Sequence, residues 1–214
     1  MSLDELQARL VAELKPSPPH YVLRRLLAGA GAGAAVSAVL IVAVLGYRPD
    51  MPHAMVTNMF WIKLGYMLAL AAVALWSAER LARPGEAGWG RTAWFALPLL
   101  LAVGLAAWRL AQAPPPMRHH MIMGDSARGC SWLIMAASIA PLIGLVWAVR
   151  GLAPTRLVRT GAIIGLAAGG VGAAAYALHC PEFTAPFLAV WYTAGVAGSG
   201  LVGALLGPVL LRWK

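Results

Sequence analysis

Charge is scarce in this chain: only 12% of its 214 residues are charged, whereas 60% are hydrophobic. Long uncharged runs are typical of membrane spans rather than of a water-soluble core, and each run here could cross about 30 Å of hydrocarbon as a helix. The sequence therefore predicts an all-α bundle of six transmembrane helices. The runs are Leu26–Leu45, Val56–Ala78 (interrupted by Lys63), and those between Arg91 and Arg109, Arg128 and Arg150, Arg159 and Glu182, and Glu182 and Arg212.

Charged side chains are nearly absent from the predicted spans: no His, Asp or Glu is expected inside any of them, and Lys63 is the one charged residue there. A membrane cytochrome needs axial His within its helices, and a proton-coupled carrier needs ionisable groups or broken helices near the midplane. Catalytic carboxylate pairs, a Ser-His-Asp arrangement and phosphate-binding Gly loops are absent too, so an enzyme is not expected. Lys63 lies near the end of its run, where a long side chain is predicted to extend outward to the membrane surface.

Basic residues indicate the orientation of the bundle. If the N-terminus lies inside, 12 of the 17 Lys and Arg residues fall in inner segments. The positive-inside rule then predicts that both termini are cytoplasmic. This asymmetry also accounts for the net charge of +9 without nucleic acid, because no soluble domain carries a basic patch.

Residues 1–22 form a separate cytoplasmic segment ahead of the bundle, which comprises residues 23–214. A leucine recurs at steps of three and four, which predicts an amphipathic helix of about four turns that ends before Pro16. Ser2 and Glu5 have capping-box spacing. Helices that rest on lipid usually carry basic residues on the polar face, but this face is mainly acidic, which favours a protein partner. The predicted partner-binding residues are Leu3, Leu6, Leu10 and Leu14.

Small residues recur every four positions in three of the runs, a spacing that lets helix backbones approach closely in lipid. We therefore expect the first, fifth and sixth transmembrane helices to form the tightly packed core. The stripes are Gly29, Gly33 and Ser37; Gly161, Gly165 and Gly169; and Gly195, Ser199, Gly203 and Gly207.

Soft metal ligands are concentrated in the predicted outer loops, at residues 47–59, 110–130 and 179–186. These loops hold six of the nine Met, four of the five His and both Cys. Thiols and thioethers bind soft metals and are attacked by oxidants, so the pattern predicts detection of copper, another soft metal ion or an oxidant. The candidate metal ligands are Cys130, Cys180, His179, His119, His120, Met51, His53 and Met55.

Cys130 and Cys180 are the entire thiol complement, each at the outer end of a predicted helix. If the two helices that carry them are antiparallel neighbours, both thiols lie at the same depth in the membrane. A disulfide that stabilises the bundle and a thiol pair that binds metal or changes oxidation state are both open interpretations. The Met residues are likewise open to interpretation as apolar filler at the interface.

A motif near the fifth helix gives the chain a recognisable relative. Tyr176-Ala-Leu-His-Cys-Pro-Glu182 is followed by Pro186-Phe, Trp191-Tyr192 and Gly203-Ala-Leu-Leu-Gly-Pro208, with Arg212-Trp213 at the end. Together with Ala153-Pro154-Thr155-Arg156 and the segment leading to Arg24-Arg25-Leu26, the motif resembles the negative-regulator-of-sigma-F family, bacterial membrane anti-sigma factors of six helices.

The resemblance implies a multi-pass protein of the bacterial inner membrane. Its N-terminal segment would hold an extracytoplasmic-function sigma factor, and Cys130 and Cys180 would match the family's periplasmic cysteine pair and act as the sensor. The alternative function is that of a copper-binding membrane protein without a sigma partner. A third interpretation is a purely structural subunit of a larger complex.

Overall fold

The computed structural model describes residues 2–13, 18, 20–83, 90–152 and 154–212. Within these ranges every regular element is helical and no strand occurs, which confirms the all-α prediction. A 3₁₀ turn, Thr92–Phe95, leads into α5, and a π-helical stretch, Leu188–Tyr192, joins α10 to α11. The helices are α1 (Leu3–Glu13), α2 (Tyr21–Val44), α3 (Met51–Met55), α4 (Asn58–Leu81), α5 (Ala96–Gln112), α6 (Pro115–Met123), α7 (Ala127–Ala137), α8 (Ile139–Arg150), α9 (Leu157–Tyr176), α10 (Ala185–Phe187) and α11 (Thr193–Leu210).

Six helical stretches of the described chain are long and apolar enough to cross a membrane, as the charge pattern predicts. The fourth is longer than expected, because α6, α7 and α8 follow one another over Pro115–Arg150. Since α4 runs to Leu81, Glu79 lies within a candidate span, contrary to the expected absence of carboxylates there. It sits at the helix end, where its carboxylate pairs with Arg83 and Arg91.

Connectors alternate between two ends of the bundle. We call the end formed by residues 45–57, 113–126 and 177–184 the cysteine end, and the opposite end, where α2 and α9 begin and α8 and α11 finish, the terminal end. The backbone N–H of Arg48 donates to the carbonyl of Leu178 over 3.2 Å, which joins two of the connectors at the cysteine end.

The N-terminal helix α1 has the predicted capping box. Glu5 N–H donates to Ser2 Oγ over 3.2 Å, and Ser2 N–H donates to the Glu5 carboxylate over 3.4 Å, so two otherwise unpaired N–H groups are satisfied. The described part of the helix, Leu3–Glu13, spans 11 residues, and the predicted Leu14 lies outside the described residues. Leu6 and Val11 are exposed, so this part of the apolar face is uncovered.

The most extensive helix contact joins α9 to α11, as two of the glycine stripes predict. A Cβ on Gly161 would collide with the backbone carbonyl of Gly203, and one on Gly203 would collide with that of Gly161. Gly165 meets the Ser199 carbonyl in the same way. Because backbone meets backbone here, only glycine allows this approach. The α9 helix is the most buried of the candidate spans and forms the centre of the bundle.

The prediction that the first helix belongs to this core is confirmed only in part, because α2 contacts α9 but packs more extensively against α8. The stripe on α2 packs chiefly against α8, where Gly29 meets Gly144 backbone to backbone and Gly33 meets Pro141. Ser37 donates to the carbonyl of Ala137 over 2.8 Å. Small residues recur every four positions on α8 as well, at Ala140, Gly144 and Ala148, although only one of them is a glycine.

Candidate functional site

Cys130 and Cys180 lie at the cysteine end, as predicted, and both are fully buried in one apolar cluster as free thiols. Cys130 lies in the first turn of α7, and its N–H donates to the Ser126 carbonyl over 3.0 Å. Cys180 follows the end of α9, and its N–H donates to the Tyr176 carbonyl over 3.1 Å. No disulfide links these residues, so the chain in this state is a dithiol.

The segment Leu178–Thr184, which we call the strap, carries Cys180 from α9 to α10. Arg48 is buried beneath it and donates from Nη1 to the Cys180 carbonyl over 3.0 Å. The same guanidinium binds both Asp50 oxygens at 2.8 and 2.6 Å and lies 4.3 Å from the centre of the Phe183 ring. The Arg48 hydrogen bond lowers the pKa of the Asp50 carboxyl, so the pair stays charged.

Lys63 corrects a prediction, because its side chain is 2% exposed and does not extend to the membrane surface. It turns inward under the strap, where Nζ donates to the carbonyls of Cys180 at 3.2 Å and Glu182 at 3.1 Å. Its ammonium also lies 4.5 Å from the centre of the Tyr192 ring. These bonds compensate for burial of the charge.

Glu182 ties the strap to the start of α7. Its carboxylate accepts from Asp125 N–H at 2.8 Å and from the N–H and hydroxyl of Ser126 at 3.2 Å each, so it caps the helix that carries Cys130. Gly124 is required at this point: its φ is +49°, and a Cβ would lie 2.5 Å from the Glu182 carboxylate. The strap thus connects α9 with residues that follow α2, with α4 and with α7.

The environment of Cys180 favours its ionised form. The influence of the Cys130 thiol and of the Lys63 ammonium lowers the pKa of Cys180 below its usual value, although burial acts in the opposite direction. The thiolate is the form that attacks oxidants and binds metal. Cys180 is therefore the more reactive of the two residues in electrostatic terms, although access to it is restricted.

The other predicted ligands are dispersed around the cysteine end. Met51 is buried in a small cluster with Ala54 and Phe60, whereas Met55, His53, His119 and His120 are exposed. His179 is partly buried, and its Nδ1 is 3.1 Å from the Gly46 carbonyl. Across the described ranges, no group of three or more His, Cys, Asp or Glu side chains converges as a metal site. A soft ion would therefore depend chiefly on the two thiols.

His119 and His179 both line a cavity of about 530 Å³ beside α7. Asp125, Arg128 and Tyr176 also line it, and the Tyr176 ring lies 5.9 Å from the His179 ring, centre to centre. Tyr176 and both cysteines belong to one buried cluster. The cavity therefore lies next to the cluster that holds the thiols.

Sequence reasoning missed the basic groups beneath the strap. From the sequence, Arg48 has no assigned role, Lys63 is expected to reach the membrane surface, and Glu182 is a boundary between two runs and part of a motif. A signal was present in Lys63, the lone charge in an otherwise uncharged run. Such an intramembrane charge indicates a buried partner as readily as an outward-reaching side chain.

The chain is similar to known proteins over its whole length. The family model described as negative regulator of sigma F matches residues 10–213. A probable anti-sigma-F factor NrsF of Azospira oryzae is 36% identical over 214 residues, which cover 100% of both chains. The anti-sigma-F factor NrsF of Caulobacter vibrioides is 38% identical over 214 residues, 99% of this chain and 97% of that one. No solved structure matches. The chain belongs to the negative-regulator-of-sigma-F family.

Proposed function

We propose that this chain is an inner-membrane anti-sigma factor that binds an extracytoplasmic-function sigma factor and releases it when Cys130 and Cys180 meet a soft metal ion or an oxidant. The observation that carries the proposal is the full-length similarity to two anti-sigma-F factors. The six apolar helices support membrane insertion. The excess of basic residues at the terminal end supports cytoplasmic termini, with the cysteine end in the periplasm.

The sigma factor binds residues 1–22, through the apolar face of α1. Leu6 and Val11 are exposed on this helix, an arrangement typical of a helix that docks into a groove of another protein. Leu3, Leu10 and Leu14 continue the same face in the sequence. Asp4, Glu5 and Glu13 are exposed, and an acidic polar face suits a basic protein surface better than an anionic membrane.

The stimulus acts through the strap. An oxidant that removes two electrons and two protons from the dithiol joins Cys130 to Cys180, whereas a soft metal ion binds the thiolates and displaces their protons. Either event changes the geometry of the strap, whose Cys180 carbonyl binds Arg48 and Lys63. Arg48 follows α2, the helix that leads back to α1. A signal passes only if the two bundle states differ in their affinity for the stimulus.

Replacing Leu6 and Leu10 with Asp tests the sigma-binding segment. Each buried Leu typically contributes about 1.5–3 kcal/mol, so the double variant should lose the sigma factor in a pull-down and switch on its regulon without a stimulus. Ala8→Asp with Ala12→Asp is the matched control, since helical spacing puts the same added charge on the opposite face. Unchanged sigma binding in the Leu variant would refute the assignment.

Cysteines introduced at exposed positions test the orientation. Val56 is 78% exposed at the cysteine end, and Ala12 is exposed on α1, whereas both native thiols are fully buried and give a low background. In cells with a permeable outer membrane, an impermeant thiol reagent should label Val56→Cys directly. Ala12→Cys should react only after the inner membrane is opened. The reverse pattern would overturn the proposed topology.

A further inference from the structure

A basic cavity lies between α2 and α8 at the terminal end, away from the cysteines. It has a volume of about 440 Å³ and contains two arginines, Arg25 and Arg150, and none of the described residues that line it is a carboxylate. The remaining lining residues are Ile143, Val146, Trp147 and Gly151. Two cations in one cavity without an acid form a binding environment for an anion.

The Arg25 guanidinium is held in place. Nη1 donates to the Tyr21 hydroxyl over 3.0 Å, Nη2 donates to the Trp147 carbonyl over 3.2 Å, and the group lies 4.7 Å from the centre of the Trp147 ring. Gly151 makes room for it, because a Cβ there would lie 2.8 Å from Nη2. Buried Nε has no hydrogen-bond partner. A fixed arginine loses little conformational entropy when it binds an oxyanion.

An apolar groove continues from this cavity toward the cysteine end. Its volume is about 480 Å³, it also lies between α2 and the helices α7 and α8, and Ile143 lines both spaces. Val36, Leu40 and Ile139 on its walls are exposed. A ligand that fills both spaces must combine an anionic head with a long apolar chain.

Tyr21 and Trp147 indicate the depth of the cavity. Their side chains are 42% and 59% exposed, and they flank the arginines at the end of the bundle. Tyr and Trp are enriched at the boundary between hydrocarbon and headgroups, and basic pockets between helices at this level bind anionic headgroups.

We propose that the cavity and groove bind an anionic glycerophospholipid, with its phosphate at Arg25 and Arg150 and an acyl chain between α2 and α8. The inference rests on the membrane insertion proposed above. The lipid bridges the contact of Gly29 with Gly144 and Gly33 with Pro141. It therefore stabilises the position of α2, the helix that carries the sigma-binding segment.

Native mass spectrometry of the purified full-length protein, released from phosphatidylcholine discs, measures the proposed binding. Phosphatidylglycerol should bind at least about tenfold more tightly than phosphatidylcholine, a factor expected for charge-assisted hydrogen bonds to arginine. Inorganic phosphate should not compete at matched concentration, because it has no acyl chain. Competition by free phosphate would contradict the lipid site and show that the cavity binds small anions.

Three variants locate the site. Arg25→Gln with Arg150→Gln should reduce phosphatidylglycerol affinity about tenfold, to the phosphatidylcholine level. Ala136→Trp should weaken both lipids by filling the groove from an exposed position that it lines, with the arginines intact. Arg24→Gln, one residue away and exposed, is the control and should bind as the wild type does.

The outcomes separate the two proposals. A chain that does not enter discs would refute membrane insertion and the lipid site together. A chain that enters discs but binds both lipids equally, or loses phosphatidylglycerol binding as much with Arg24→Gln as with the double variant, would refute only the lipid site.

Discussion

Gly161→Leu is expected to prevent assembly of the bundle and to remove most of the protein from the membrane. A Cβ at this position meets the Gly203 carbonyl and lies 2.9 Å from the Gly207 Cα, so no flexible side chain can move aside. Even Gly161→Ala should cost about 1–3 kcal/mol through overpacking, and Leu should cost more. The α9–α11 contact lies at the centre of the bundle, and its loss should expose the helix to degradation.

Gly31→Leu is the matched control. Gly31 is also a glycine within a candidate span, but a Cβ there meets nothing within 4 Å. Membrane abundance and the thermal stability of the solubilised protein measure both variants. Equal abundance of Gly161→Leu and Gly31→Leu would mean that the α9–α11 contact does not determine assembly.

The six long apolar helices were predictable because charge is excluded from hydrocarbon so strongly that its absence marks each candidate span. Which helices pack against each other was only partly predictable. The stripes on α9 and α11 face each other, but the stripe on α2 meets α8, where Gly144 is the only glycine in the contact. A period of four indicates a close contact for a helix and leaves the identity of its neighbour open, because that depends on the packing of the whole bundle.

The candidate site was likewise predictable only in part. The positions of Cys130 and Cys180 at one end followed from counting spans, whereas the basic residues beneath the strap did not. Lys63 was expected to reach the membrane surface, since this is the usual outcome for a lysine near a helix end. It turns inward because the strap presents the carbonyls of Cys180 and Glu182, which accept hydrogen bonds from its ammonium. That geometry depends on residues more than 100 positions away.

Cys180→Ser is expected to leave the protein at normal abundance but locked in one signalling state, unresponsive to metal or oxidant. Both thiols are free in this structure, so the substitution breaks no covalent bridge. A serine hydroxyl neither forms a disulfide nor binds soft metals as a thiolate does. Membrane abundance and a sigma-dependent reporter, with and without the stimulus, measure the two effects separately.

A purely structural role for the two cysteines predicts different results for the same variants. A disulfide that stabilises the bundle would contribute about 2–4 kcal/mol, so its loss in Cys130→Ser, Cys180→Ser or the double variant should lower abundance equally. Ser131→Ala, next to Cys130, is a control that loses a hydrogen bond of 2.8 Å to the Trp191 carbonyl and retains both thiols. Normal abundance and a full wild-type response in the double variant would eliminate the cysteines as sensors.

Lys63→Gln extends this prediction from the thiols to the groups that hold them. The uncharged amide can still donate to one of the two strap carbonyls, but it removes the ammonium that favours the Cys180 thiolate. The variant should therefore respond to the stimulus more slowly, or only at higher concentration, while Lys63→Arg retains the charge. A structural role for Lys63 would instead lower abundance in both variants without changing the concentration at which the reporter responds. The shift in that concentration, measured in variants of equal abundance, separates the effect of charge on the thiol from the effect of packing on the strap.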